Sequence, residues 1–174
     1  MGRERLFRKV GAEMDPAAAP LELTHVSHEA FSLALPGAWR ERRGSSGLDL
    51  TRSDGLERVT INVKKLVAPV AQGALPAMVA RVLDDQGREV TNEAAELLEW
   101  GEADLIPRGT ALEARQCGSC VAGRLQVALL VRATEERILS ASLVSRHIDD
   151  EIDRMAVQAA FAARAAIIFD RLSD

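Results

Sequence analysis

Both cysteines of the chain, Cys117 and Cys120, stand in the box "RQCGSCVAGR". Two thiols three residues apart suit a redox couple or half of a tetrahedral zinc site. In a redox couple of the thioredoxin type the first cysteine opens a helix, and the helix dipole stabilises its thiolate. Here "VAGRLQVALLV" follows, an alternating and β-branched run that predicts a strand. The expectation is two reduced thiols in or beside a hairpin loop, with thiol-redox or zinc chemistry as the alternative function. The zinc version of that alternative needs two more ligands, and "HVSH" offers His25 and His28 at the same spacing. The order of the two pairs matches no zinc module, so the leading expectation is no bound metal and no cofactor.

The remaining chemistry is thinner. His147, in "SRHIDDEID", lies among carboxylates at the predicted start of a helix and reads as a boundary residue rather than a base. "GSSG" at 44–47 lacks the strand-to-helix turn of a nucleophile elbow. The chain holds no glycine-rich phosphate loop of either common type. No catalytic residue is assigned, and the chain is expected not to be an enzyme. The carboxylates of "TNEAAELLEWGEAD" form an acidic patch read as solvated surface, and Trp39 and Trp100 read as core or rim aromatics.

The elements that must position these residues follow from periodicity. The 174 residues, 47% hydrophobic and 28% charged, suit one globular domain with its own core. Residues 1–20 read as a flexible basic arm and Pro/Ala spacer, and residues 21–174 as a single α+β domain. "FSLALPGAW" alternates Phe31, Leu33 and Leu35 with Ser32 and Ala34, a half-buried strand closed by Pro36 and Gly37. "GLDLTRSDGLERVTINVKKL" gives two further strands about the Asp54-Gly55 turn. In "LPAMVARVLDDQG" the apolar positions Leu75, Met78, Val79, Val82 and Leu83 have helical spacing; Pro76 suits the first turn and Gly87 the residue after the last. Residues 88–110 are compatible with both helix and strand. "TALEARQ", "RLQVALLVR" and "RILSASLV" then predict three antiparallel strands.

A long helix is predicted from about Asp149 to Leu172, with acidic residues at its start and Arg171 at its end. One stripe, Ile152, Met155, Ala159, Ala162, Ala166 and Phe169, is expected to pack on the sheet. A second stripe, Val157, Phe161, Ile168 and Leu172, is left as the candidate partner-binding face, for another protein or for a homodimer.

A net charge of −4 without a large single-sign block argues against a nucleic-acid partner. No apolar run approaches the roughly 18 residues of a membrane span. The N-terminus lacks the apolar stretch of a secretory signal, and Leu6 stands where myristoylation after Gly2 needs Ser or Thr. The expected compartment is the cytoplasm, where thiols stay reduced. Arginine in excess over lysine, with alanine-rich tracts and no tyrosine, suggests a GC-rich bacterial genome.

The aromatic-led strand from Phe31 to Trp39, and the element order across residues 21–172, resemble the PsbP-like α/β/α sandwich. That superfamily includes the extrinsic PsbP subunit of photosystem II, a nuclear Ran-release factor and bacterial DcrB-type proteins. The resemblance implies an antiparallel sheet flanked by helices and a non-enzymatic role in binding or holding other proteins. Some bacterial members, the Eag chaperones of type VI secretion, protect apolar segments of effectors. An adaptor or chaperone, a possible accessory of a secretion system, is the function this resemblance implies.

Overall fold

The computed structural model describes residues 22–45, 47–147 and 153–173. The alternation of the first strand is realised: in β2 (Phe31–Pro36) Phe31, Leu33 and Leu35 are buried, while Ser32 is exposed and Ala34 half-buried. It pairs with β1 (Leu23–His28) in an antiparallel hairpin, Leu23 opposite Pro36 and His28 opposite Phe31. Sequence pattern missed β1 because only Val26 of its six residues is buried, so its period of two carries almost no hydrophobic signal.

Next come β3 (Trp39–Arg43), β4 (Gly47–Arg52) and β5 (Glu57–Lys65). The Asp54-Gly55 turn joins the last two: Gly55 N–H donates to Arg52 O, and Gly55 takes a left-handed φ of 75°. Helix α1 (Leu75–Ala94) starts with Pro76 in its first turn and buries Leu75, Val79, Leu83, Gly87 and Val90. It does not stop before Gly87, as the pattern predicts, but continues to a left-handed Ala95 with φ of 53°. A Cβ at Gly87 would sit 3.5 Å from Trp100 Cζ2, an ordinary contact. Packing on that indole outweighs the weak helix propensity of glycine.

Residues 88–110, left open by the pattern, contain the end of α1, then β6 (Leu98–Trp100) and β7 (Asp104–Arg108). The chain then forms β8 (Ala111–Cys120), β9 (Leu125–Ala133), β10 (Arg137–Arg146) and α2 (Arg154–Asp170). Asp153 caps α2 by accepting the Ala156 N–H. The acidic residues predicted to begin this helix at 149–151, and Ile152, lie outside the described residues.

Eight strands make one antiparallel sheet in the order β3-β4-β5-β10-β9-β8-β6, with β7 also paired to β8. Because β9 fills the other side of β8, β6 and β7 lie end to end along a single edge. One core lies under α1, joining Val79 and Leu83 to Val127, Leu129 and Val131. A second lies under α2 and the β1–β2 hairpin, joining Phe161, Ile168 and Phe169 to Leu33, Ala128 and Leu130. β9 serves both, and all nine of its residues are buried, so the run expected to alternate is instead covered on both faces. The C-terminus closes the second layer, since Ser32 and Ser173 exchange backbone hydrogen bonds of 2.8 and 3.0 Å.

Trp100 separates two glycines by what a methyl group would meet. At Gly118 a Cβ would lie 2.6 Å from Trp100 Cε3, too close for any real contact. Gly118→Ala is expected to destabilise by about 1–3 kcal/mol, whereas Gly87→Ala is expected to stabilise by about 0.5–1 kcal/mol. Urea unfolding of both variants checks this, and equal shifts of one sign would contradict the packing described.

Candidate functional site

The structure separates the residues that a thiol or zinc site would need. Cys117 and Cys120 both belong to β8, so of the two places expected for the box, in or beside a hairpin loop, it takes the second, at the end of the strand. The turn follows it, with Gly123 N–H donating to Cys120 O. Three residues along a strand is an odd spacing, which sends the side chains to opposite faces. Cys117 lies opposite Ala128, on the α2 side, and is exposed. Cys120 is buried in the α1 core, its Sγ accepting the Leu125 N–H at 3.3 Å. Partial burial, and then the nearby Asp104 carboxylate, raise the Cys117 pKa, so its thiol is held protonated.

His25 and His28 are likewise divided between the two faces of β1. His25 is exposed; His28 stacks on Phe31 at 4.9 Å, and its Nδ1 accepts the Ala30 N–H. Among the described residues no three His, Cys, Asp or Glu side chains are grouped to hold a metal ion. The zinc constellation of Cys117, Cys120, His25 and His28 is therefore not assembled. His147 follows β10, its backbone N–H donating to Arg124 O.

The two stripes of α2 exchange the roles predicted for them. Phe161, Ile168 and Leu172 are 5%, 2% and 3% exposed, in the core, and Val157 is half-buried. These partner-binding candidates are used up inside the fold. Of the described residues of the stripe expected to face the sheet, Phe169 alone is buried; Met155 is 80% exposed and Ala159, Ala162 and Ala166 are exposed. Burial follows apolar area: a Phe, an Ile and a Leu remove far more of it from water than three alanines do. Counting apolar positions weighted them equally.

Two buried carboxylates fix this rotation, and pattern reasoning missed both. Glu57, 2% exposed on β5, pairs with Arg52 Nη1 at 2.9 Å and with Arg164 of α2. Glu113, fully buried on β8, accepts from Arg115 Nε and Arg132 Nε, each at 2.7 Å. Arg132 also donates to Leu172 O at 3.2 Å, and Arg115 Nη2 reaches Asp170 Oδ1 at 2.7 Å. The Arg115 guanidinium lies over the Phe169 ring, 5.8 Å from its centroid. No signal in the sequence marks Glu113 as buried: in "TALEARQ" it shares its parity with Arg115, on the face opposite the apolar Leu112 and Ala114.

Two grooves flank β6. On the α2 side a groove of about 570 Å³ is lined by Trp100, Cys117, Gly118, Met155, Ala159 and Ala162. Gln158 Nε2 reaches Ser119 Oγ within it, and an Arg154–Glu99 ion pair of 2.7 Å borders it. On the α1 side a groove of about 440 Å³ is lined by Leu83, Asp84, Gly87, Arg88, Trp100 and Gln116. Trp100 belongs to both.

This architecture has a counterpart among solved structures. Cyanobacterial PsbP (CyanoP) from Synechocystis sp. PCC 6803 superposes with a TM-score of 0.61 at 9% identity, over 91% of this chain and 95% of that one. The fold is PsbP-like. A crystal structure from Bacteroides thetaiotaomicron VPI-5482 matches at a TM-score of 0.44 and 16% identity, over 82% of this chain and 44% of that one. No family model matches the chain, and no curated protein matches it. The PsbP-like sandwich is thus shared in shape, with its sheet, its two helical layers and its long C-terminal helix, at an identity that carries the fold alone.

Removing Glu113 would take from the buried Arg132 the carboxylate that its Nε meets at 2.7 Å. Glu113→Ala is expected to lose about 3–5 kcal/mol, and a loss near that of an exposed substitution would contradict the anchoring role. Acid should act through Asp170. Hydrogen bonding from Arg115, the largest cause, holds its pKa below the ordinary 3.8. Its contribution is present above pH 3.8 and is lost as pH falls through the lowered folded value. Stability of Asp170→Asn should therefore fall less on acidification over that window than stability of the parent protein.

Proposed function

We propose that this protein is a non-enzymatic bacterial protein-interaction domain of adaptor or chaperone type, working in the cytoplasm as an accessory of a secretion system. The carrying observation is the outward face of α2, where Met155 is 80% exposed above the exposed Ala159 and Ala162. This apolar surface opens directly onto the groove beside β6. A cluster of exposed apolar side chains beside a concavity is the usual mark of a surface that another molecule covers. The PsbP-like fold supports the same class, since the superfamily it resembles is known for holding other proteins. The thiol alternative draws no support from two cysteines on opposite faces of one strand.

The partner-binding surface proposed is thus moved from Val157, Phe161, Ile168 and Leu172 to Met155, Ala159 and Ala162. Its test is site-resolved crosslinking in the native host. A benzophenone side chain installed at position 155 is expected to give a discrete protein adduct, and one at position 81, on α1, is expected to give none. Ala162→Glu should diminish the first adduct. Equal labelling from both positions, or none from position 155, would refute this reading.

A further inference from the structure

The open edge of the sheet beside these grooves has a backbone pattern that specifies how a partner would attach. Leu98, Glu99 and Trp100 lie opposite Cys120, Ser119 and Gly118, and the ladder continues where Gly101 N–H donates to Cys117 O at 2.9 Å. Antiparallel pairs alternate between hydrogen-bonded and non-hydrogen-bonded. With Gly101 and Cys117 bonded, Glu99 and Ser119 are the next bonded pair. The N–H and C=O groups of Leu98 and Trp100 therefore point away from β8. Among the described residues no strand pairs with that side of β6.

The other edges are blunted. β3 carries Arg40, Glu41, Arg42 and Arg43, and β7 carries Pro107, which has no N–H. The single charge on β6, Glu99, is paired with Arg154. The two flanking grooves lie on opposite faces of the sheet, the arrangement that alternate side chains of an added strand require. The α2-side groove is walled by Met155, Ala159 and Ala162. The α1-side groove combines the Trp100 indole with Asp84, Arg88 and Gln116.

We propose that the outer edge of β6 takes up an extended segment of a partner protein as an added antiparallel strand. The side chain opposite Glu99 is apolar and enters the α2-side groove, and the two flanking side chains are polar and lie over Trp100 on the α1 side. The inference rests on the protein-interaction reading and adds to it the conformation and side-chain pattern of the partner.

The probe is a terminally blocked peptide, Lys-Thr-Val-Thr-Leu-Thr-Val-Thr-Lys, titrated into the ¹⁵N-labelled full chain. Expected are shifts confined to residues 97–101, 117–119 and 155–162, with slowed hydrogen exchange at the amides of Leu98 and Trp100. N-methylation of the two threonines that flank Leu removes the donors to the Leu98 and Trp100 carbonyls and should weaken binding about tenfold. Replacing the central Leu by Asp, or Ala159→Glu in the protein, should do the same, while Ala163→Glu should not. No shift at millimolar peptide, shifts elsewhere, or indifference to N-methylation would overturn strand addition. Retention of the position-155 adduct in that event would leave the interaction reading standing; its loss would remove both.

Discussion

Glu113 is a carboxylate with no exposure at all, set near the start of β8. A charge so placed is costly unless other groups converge on it. Arg132 and Arg115 do so from β9 and β8 itself, and each then has donors to spare. Those donors take the carbonyl of Leu172 and the carboxylate of Asp170, so satisfying one buried acid fixes the end of the C-terminal helix against the sheet. Glu57 acts in the same way farther back along α2, through Arg164. In its observed rotation the helix serves both acids and buries Phe161 and Ile168, with Leu172 buried just beyond its end. The exposure of Met155 and its alanines is the consequence.

The surface proposed to meet a partner is therefore a by-product of how the core is satisfied. Ion pairs on the sheet-facing side commit the large apolar residues inward, and small ones are left to line the groove above Cys117. Trp100 sets the other limit of that site. Its indole spans Gly118 and Gly87, so the short strand that carries it is held at the sheet edge between two concavities.

Much of the architecture was legible in the amino-acid order because half-buried strands and amphipathic helices write their period into it. The Phe31–Leu35 alternation is a case where one face is buried and the other more open, and the Asp54-Gly55 turn shows through the glycine its left-handed φ requires; β9, buried on both faces, is legible instead as an apolar, β-branched run. The failures share a physical cause. β1 buries one residue and so has no period to read. Gly87 looks like a stop, yet it is held within the helix by an indole from a distant strand. The C-terminal helix was turned the wrong way because apolar positions were counted without their areas, and because the buried acids opposite it, Glu57 and Glu113, are indistinguishable in sequence from surface charges. The cysteine box lies beside the hairpin turn, at the end of β8, and the odd parity of its spacing within the strand divides the thiols.

The orientation of α2 is the claim on which the candidate site stands. It is measured directly by the broadening of side-chain methyl resonances by a neutral gadolinium chelate in solution. The methyl groups of Met155, Ala159, Ala162 and Ala166 should broaden strongly, while those of Ile168 and Leu172 should be protected like the methyls of Leu129 and Leu130. Strong broadening at Ile168 and Leu172, with protection at Met155 and Ala162, would contradict the account.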